Sequence, residues 1–211
     1  MNRNTIAAVV IGGGAGARLG GVVKPLLRAG GRTILAANIA RLRGYASPVL
    51  VSIGPIEAAR FASCGADALV SDRPDASGGP LAGLFAAATH LRQAGAAPDW
   101  LVSLAGDCPD LPDDLVSALV SATTDGIDVV FAGFAGEAYP PNAIWRFATL
   151  LARMDGLGGD PQGRGPCHLV PPERRRDLDF VGRLSANPFE GLNTRADLVA
   201  LARRRRGSKP A

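Results

Sequence analysis

Residues that commonly carry catalysis or cross-links are scarce in this chain of 211 residues, which has two histidines, three cysteines and 5% aromatic residues. Three widely spaced cysteines predict neither a disulfide framework nor a CxxC metal site, and reduced thiols are typical of the cytoplasm, where we expect the protein. The sequence offers no convincing Ser/His/Asp or Cys/His set for nucleophilic catalysis. No apolar run approaches the roughly 20 residues of a membrane helix, so no membrane contact is predicted.

Positive charge is concentrated at the carboxyl end of the chain. The net charge is +4, but five basic residues lie between positions 203 and 209, and residues 1–202 hold 18 basic against 19 acidic residues. A run of four arginines without interleaved aromatic residues does not predict nucleic-acid binding. We interpret 203–211 as a basic, frayed tail and 1–202 as the folded domain.

The alternation of apolar patterns predicts the fold. The composition, 47% hydrophobic and 20% charged, is that of a globular protein with one sizeable core. Strands are predicted over 6–11, 49–53, 68–70, 100–104, 129–131 and, less regularly, 178–181. Helices are predicted over 33–43, 57–62, 80–94 and 143–153, and after positions 112 and 194. This order indicates an α/β fold, a single three-layer α/β/α domain with a mainly parallel, Rossmann-like sheet. The stretch 154–169 is expected to be a mobile loop over the site or a disordered insert.

A glycine-rich loop from position 11 to position 25 follows the first predicted strand. Six of its fifteen residues are glycine, and it carries two cationic side chains. Glycines after a buried strand let backbone N–H groups approach an anion, and this end of an α/β sheet is where phosphate is expected to bind. Its candidate phosphate ligands are Gly12, Gly13, Gly14, Arg18 and Lys24.

Three other interpretations of the loop fit the sequence less well than phosphate binding. A tight turn explains it only in part, because the loop is longer than a βα turn needs. Positions 12–17 formally fit the dinucleotide fingerprint, but the second predicted strand ends in Gly54-Pro55 with no acidic residue beside it. The Walker pattern fails because Lys24 is followed by Pro25 rather than by Ser or Thr.

Two aspartates follow predicted strands and are candidates for the same site. Asp107 comes after the strand at 100–104, and Mg²⁺ typically takes one or two carboxylates together with phosphate oxygens. Position alone leaves a turn-capping role before Pro109 equally open. Asp72 follows the strand at 68–70 and has the same alternative, a turn before Arg73.

Four stretches taken together carry a family resemblance: the glycine loop with Lys24, Asp72 with the segment 79–84, the segment 106–109, and the segment 191–198. They resemble the signature motifs of NTP-dependent nucleotidyltransferases, occur in that family's order and cover most of the chain. The sequence is most similar to the MobA-like type, the molybdenum cofactor guanylyltransferases.

The resemblance implies roles for particular residues. Arg18 and Lys24 would hold the NTP triphosphate, and Asp107 with Asn193 would hold Mg²⁺. The nucleotide-binding region would include Asp72 and the residues of the following segment, namely Gly79, Pro80, Leu81 and Gly83. The implied reaction is transfer of GMP from GTP to the terminal phosphate of the molybdenum–molybdopterin cofactor, with transient contact to molybdoenzyme maturation proteins possible.

The sequence also departs from the family's pattern. Val23 stands where an acidic residue usually precedes the lysine, Gly191 replaces the first asparagine of an Asn-x-Asn-Thr motif, and Tyr139-Pro140 stands near the position of a common His-Pro. A purely helix-capping role for Asn193 remains open. Two other functions remain open as well: transfer of CMP or AMP to molybdopterin or another small acceptor, and a non-catalytic nucleotide-binding module.

Overall fold

The secondary structure follows the predicted order of strands and helices. The computed structural model describes residues 5–13, 21–29, 31–73, 78–161, 163–184 and 186–207. For residues 204–207 it describes the backbone only. The strands are β1 Ile6–Ile11, β2 Arg28–Ala29, β3 Arg32–Thr33, β4 Val49–Ser52, β5 Ala68–Val70, β6 Trp100–Ala105, β7 Val129–Phe134, β8 Glu137–Arg146 and β9 Arg175–Asp179. The helices are α1 Ile34–Arg43, α2 Pro80–Gln93, α3 Leu115–Ser121, α4 Phe147–Gly156 and α5 Arg195–Gly207.

A seven-stranded sheet forms the middle layer, in the order β5-β4-β1-β6-β8-β7-β9. The pairs β5–β4, β4–β1, β1–β6 and β7–β9 are parallel. Strand β8 is antiparallel to both of its neighbours, β6 and β7. The predicted α/β fold with a mainly parallel sheet is therefore confirmed, and β2 and β3 form a separate small hairpin.

The core lies on both faces of this sheet, which makes three layers. In β1, Ala8 and Val10 pack with helices α1 and α3 on one face, whereas Ala7 and Val9 pack with α2 and α4 on the other. All four residues are fully buried. A strand covered on both faces has no polar side, which is why it reads in sequence as an unbroken apolar run.

The predicted helix over 143–153 is wrong at its beginning. Residues 143–146 are the last part of β8, and α4 begins at Phe147. Ala143 pairs with Ser103 of β6 on one side and with Phe131 of β7 on the other. Both faces of this strand segment are buried, so its continuous apolar run cannot be distinguished from a buried helix by periodicity.

Smaller differences concern the ends of elements. The helix predicted at 57–62 is a single 3₁₀ turn, Ala58–Phe61, and α3 begins at Leu115, three residues later than the helix predicted from position 112. The stretch 154–169 begins inside α4 and ends at Leu169, which is buried against the α2 and α4 face. Its described residues do not line the cleft next to Asp107.

Helix α5 continues past position 202, the expected end of the folded domain, and reaches Gly207. The boundary between the folded domain and the tail remains a prediction from sequence. Positions 208–211 of the expected tail lie outside the described residues. Across the described part of the chain, no helix is both long enough and apolar enough to cross a bilayer.

Candidate active site

The carboxyl ends of the parallel strands bring the predicted site residues to one edge of the sheet. Gly12 and Gly13 follow β1, Gly54 lies just beyond β4, Asp72 follows β5 and Asp107 follows β6. Because β5, β4, β1 and β6 are adjacent and parallel, their ends open on the same crevice, where ligands bind in open α/β sheets.

Glycines allow these strand ends to lie unusually close together. A Cβ on Gly13 would lie 2.7 Å from the backbone N of Gly54, and one on Gly106 would lie 2.6 Å from the carbonyl oxygen of Ile11. Gly106 N–H donates to that same oxygen over 2.9 Å. The backbones therefore touch directly at the point where the phosphate-binding loop is predicted to leave the sheet.

The structure describes only part of the glycine loop, and phosphate binding by this loop stays a prediction. Gly12 N–H donates to the carbonyl oxygen of Ser52 over 2.8 Å. This amide is therefore hydrogen-bonded to the neighbouring strand and does not point to an anion. Gly14 and Arg18 lie outside the described residues. Their predicted roles remain predictions from sequence.

Lys24 lies at the centre of the site. It begins a 3₁₀ turn, Lys24–Leu26, that is anchored by the buried ring of Pro25. Its Nζ donates to Asp107 Oδ2 over 3.1 Å and to Asn193 Oδ1 over 2.9 Å. The Lys24 and Asp107 side chains are 20% and 30% exposed. Three predicted site residues that are 83 and 169 positions apart along the chain are thus brought together.

The carboxylate of Asp107 is held against the segment before α5. Leu192 N–H donates to the backbone carbonyl of Asp107 over 3.1 Å. A Cβ on Gly191 would lie 2.8 Å from Asp107 Oδ2 and 2.9 Å from both Cγ and Oδ1. The absence of a side chain at position 191 is therefore what permits Asp107 to occupy its place.

The start of α5 positions Asn193 by a capping box. Asp197 Oδ2 accepts hydrogen bonds from the N–H groups of Asn193 and Thr194, and Asp197 N–H donates to Thr194 Oγ1 over 3.2 Å. The backbone donors at Asn193 and Thr194 lower the pKa of Asp197. Asn193 takes part in the cap through its backbone, which leaves its side-chain oxygen directed to Lys24.

Asp72 occupies a more enclosed position at the other side of the crevice. Its Oδ1 accepts from Ser52 Oγ over 3.4 Å, and burial raises the pKa of Asp72 despite that hydrogen bond. A Cβ on Gly83 would overlap Ser52 Oγ. Gly83 therefore serves the close packing of α2 on β4, which positions Ser52 beside Asp72.

The other residues predicted to contact nucleotide lie at the start of α2. Gly79 precedes the helix with a φ of 84°, a conformation that favours glycine, and Pro80 occupies the first turn. Pro80 borders the cleft next to Asp107. Leu81 is only 1% exposed and packs in the core, so its side chain is not available to a ligand.

A cleft of about 1190 Å³ opens beside Asp107 and Asn193. Its opposite wall carries polar residues that sequence reasoning missed, namely Tyr139, Asn142, Asn187 and Glu190. The Tyr139 ring packs against Phe189 at 5.4 Å between centroids, and its hydroxyl accepts from Asn187 Nδ2. The Asn-Pro sequence at 187–188 is an ordinary turn signal, so only the fold assigns these residues to the site.

Two buried side chains at the border of the cleft also support the end of β6. Asn142 Oδ1 accepts from Ala105 N–H over 2.9 Å, and Cys108 Sγ donates to the carbonyl oxygen of Phe189 over 3.1 Å. Burial, reinforced by the charge of Asp107, raises the pKa of the Cys108 thiol far above its ordinary value. Because this thiol is buried and donates to a backbone carbonyl, it is not placed to act as a nucleophile.

The donor chemistry of the site fits a hard cation. One carboxylate oxygen and one amide oxygen converge on a single positive charge, the Lys24 ammonium, and Mg²⁺ uses oxygen ligands of this kind. The described residues contain no cluster of three or more His, Cys, Asp or Glu side chains that could hold a metal ion by itself. A metal here would therefore need further oxygen ligands, such as phosphate oxygens.

Comparison with known proteins agrees with this geometry. The family model described as "MobA-like NTP transferase domain" matches residues 8–169. A "Molybdenum cofactor guanylyltransferase" from Rhodopseudomonas palustris is 37% identical over 139 residues, 65% of this chain and 64% of that protein. The matched part is thus less than two thirds of that relative's length.

Two further similarities extend over nearly the whole chain. A protein of the same name from Acidiphilium cryptum is 34% identical over 92% of this chain and 93% of its own length. The crystal structure of molybdopterin-guanine dinucleotide biosynthesis protein A from Archaeoglobus fulgidus has a TM-score of 0.64 at 21% identity, over 94% of this chain and 97% of that one. At that identity the structural likeness supports the fold.

Proposed function

Because this chain belongs to the family of MobA-like NTP transferases, we propose that it transfers GMP from GTP to the terminal phosphate of the molybdenum–molybdopterin cofactor and releases pyrophosphate. The observation that carries this proposal is the convergence of Lys24, Asp107 and Asn193 at the end of β6, beside a cleft of about 1190 Å³. The relatives named molybdenum cofactor guanylyltransferase support the choice of GTP and of the acceptor.

The nucleotide would lie across the ends of β1, β4 and β5. Lys24 would bind the triphosphate as a flexible point charge, together with Arg18 from the glycine loop. Asp72, beside Ser52 and the start of α2, would face the ribose or the base. Gly13 allows the ends of β1 and β4 to meet, because a Cβ there would overlap the backbone of Gly54, and this contact would shape the floor of the triphosphate site.

Asp107 and Asn193 would hold Mg²⁺ through their side-chain oxygens. Bound there, the ion would neutralise charge on the phosphates of the nucleotide. The protein's own contribution is to fix the two oxygens in place. Gly191 gives the Asp107 carboxylate its room, and the capping box at the start of α5 orients Asn193.

The acceptor would enter the cleft from the side of Tyr139 and Asn187. Its terminal phosphate is already anionic near neutral pH, because the second pKa of a phosphate monoester is about 6. One of its oxygens would bond to the α-phosphorus of GTP while the bond from that phosphorus to the bridging oxygen breaks, and pyrophosphate would leave with the electron pair. No general base is required, because the attacking phosphate oxygen is already deprotonated near neutral pH.

The test is a coupled measurement of pyrophosphate and dinucleotide product. Purified protein is incubated with molybdenum–molybdopterin and each of GTP, CTP, ATP and UTP, with and without Mg²⁺. We expect Mg²⁺-dependent product with GTP. Product with CTP or ATP instead would show that the nucleotide donor is not GTP and would contradict the guanylyl assignment. Binding of nucleotide without any turnover would favour the nucleotide-binding module.

A pair of aspartate variants tests the role of Asp107. Asp107→Asn should lower turnover by at least about a hundredfold, the effect of losing a group that positions the reacting centre, and should keep the fold because its side chain is partly exposed. Asp113→Asn is the matched control, since that carboxylate is 98% exposed and lies outside the cleft. Equal activity in both variants would remove Asp107 from the mechanism.

A further inference from the structure

The ammonium of Lys24 occupies the position between the two proposed metal ligands. Its Nζ lies 3.1 Å from Asp107 Oδ2 and 2.9 Å from Asn193 Oδ1, and it donates a hydrogen bond to each. The interaction joins three separate parts of the chain: the turn after the glycine loop, the end of β6 and the start of α5. A side-chain cation thus already satisfies the two oxygens.

The same two oxygens are suited to a divalent ion, so the ammonium and the ion compete. Mg²⁺ and Mn²⁺ prefer oxygen ligands, and Mg²⁺ typically completes its shell with water and substrate phosphates. The carboxylate of Asp107 and the amide oxygen of Asn193 supply only two ligands. Without phosphate, a divalent ion would gain little and would lie beside the positive charge of Lys24.

We propose that the Lys24 ammonium donates hydrogen bonds to Asp107 and Asn193 in the nucleotide-free protein and leaves them to bind phosphate oxygens only when a metal–NTP complex binds. Lys24 thus serves as the counter-ion of Asp107 until the metal arrives. This proposal rests on the proposed function, in which Asp107 and Asn193 hold the metal. The geometry permits the exchange because the Lys24 side chain is 20% exposed and its four-carbon stem is flexible. Its charge remains paired throughout, first with a carboxylate and then with phosphate.

A consequence follows for the order of binding. In the wild-type protein, divalent metal alone should bind weakly, because it must displace an ammonium whose two hydrogen-bond acceptors among the described residues are these same oxygens. NTP provides other acceptors for the ammonium, so metal and NTP should each strengthen the binding of the other by the same factor. Removing the charge at position 24 should strengthen metal binding without nucleotide, and the further gain from NTP should then be smaller, because phosphate would still supply ligands but no ammonium would have to be displaced.

The experiment measures Mn²⁺ binding by the loss of the free-ion electron paramagnetic resonance signal, without nucleotide. Lys24→Met removes the ammonium and keeps an unbranched side chain, and we expect its dissociation constant for Mn²⁺ to fall about fivefold to tenfold, tenfold being about 1.4 kcal/mol. Lys24→Arg keeps the charge and should bind Mn²⁺ as weakly as the wild type. Arg92→Met is the matched control, because it removes one charge from a surface pair with Asp155.

The outcomes separate this inference from the proposed function. The gain in Lys24→Met must vanish in the double variant with Asp107→Asn, and a gain that persists would place the ion elsewhere and overturn the inference. If a non-hydrolysable GTP analogue promotes Asp107-dependent Mn²⁺ binding in the wild type but Lys24→Met shows no gain alone, the inference fails and the proposed metal site stands. If Mn²⁺ does not bind even with the analogue, both fail.

Discussion

Substitution of Gly191 by alanine is the sharpest test of how the site is built. The added Cβ would lie 2.8 Å from Asp107 Oδ2 and 2.9 Å from Cγ and Oδ1, whereas ordinary contact begins at 3.4 Å. The φ of Gly191 lies outside the left-handed region, so alanine does not strain the backbone. The conflict is therefore confined to the carboxylate, which must move by about the 0.6 Å that separates 2.8 Å from 3.4 Å.

A displacement of this size is large for a group that positions a reacting centre. A misplacement of about 1 Å can cost about a hundredfold in rate, so we expect kcat for Gly191→Ala to fall by about tenfold to a hundredfold. That loss corresponds to about 1.4 to 2.7 kcal/mol of activation free energy. Global stability should change little, because Gly191 lies in a segment outside the regular elements.

The assay is GTP-dependent pyrophosphate release with molybdopterin, with the unfolding midpoint measured in urea on the same preparations. Gly44→Ala is the matched control, because Gly44 has a φ of −74° and a Cβ there would meet no atom within 4 Å. Wild-type kcat in Gly191→Ala would refute the reasoning, since it would mean that the position of Asp107 does not limit the reaction. A matching loss in Gly44→Ala would show that the effect is not local.

Three further predictions concern buried polar groups. Hydrogen bonds from Arg174 lower the pKa of Asp128, so the ionised carboxylate contributes fully to the free energy of unfolding above about pH 5 and loses this contribution as the pH falls below about 4. The difference in the free energy of unfolding between wild type and Asp128→Asn, measured in urea, should therefore shrink from pH 7 to pH 3, and a constant difference would contradict this. Asn142→Ala leaves the N–H of Ala105 without its acceptor and should cost about 1–3 kcal/mol in urea unfolding; an unchanged midpoint would contradict it. Because Cys108 is 2% exposed and its thiol has a raised pKa, mass spectrometry should find maleimide on it only after unfolding, and rapid labelling of native protein would contradict this.

The strands at the centre of the sheet were predictable because a strand buried on both faces is a continuous apolar run in the sequence. The runs of β1, β4 and β6 contain almost no polar side chains, since α1 and α3 cover one face and α2 and α4 the other. The start of α2 was equally readable from Pro80, which costs no hydrogen bond in the first turn of a helix. Local chemistry alone was sufficient for these elements.

Strand β8 was missed because its strand character depends on its neighbours. It contains Pro140 and Pro141, which argue against a strand when the sequence is read alone. In the structure the register with β7 jumps from Phe131 opposite Ala143 to Gly133 opposite Ala138, and the two prolines fall inside this irregular segment. This irregularity in the pairing with β7 accommodates the two prolines.

The site shows the same division between local and long-range information. Asp107 became a candidate from its place after a buried strand together with the family's motif, and Asn193 became one from its likeness to a motif. The role of Gly191 could not be predicted, because it depends on contact with a carboxylate 84 positions earlier in the chain. In sequence, the glycine counted as a departure that weakened the resemblance to the family.

The structure gives that departure a physical meaning. With Asp107 where it lies, any side chain at position 191 would meet the carboxylate, so Gly191 and the position of Asp107 are coupled. Asn193 is placed by a different constraint, the capping box with Asp197. The two oxygens that hold the Lys24 ammonium therefore come from independent structural sources.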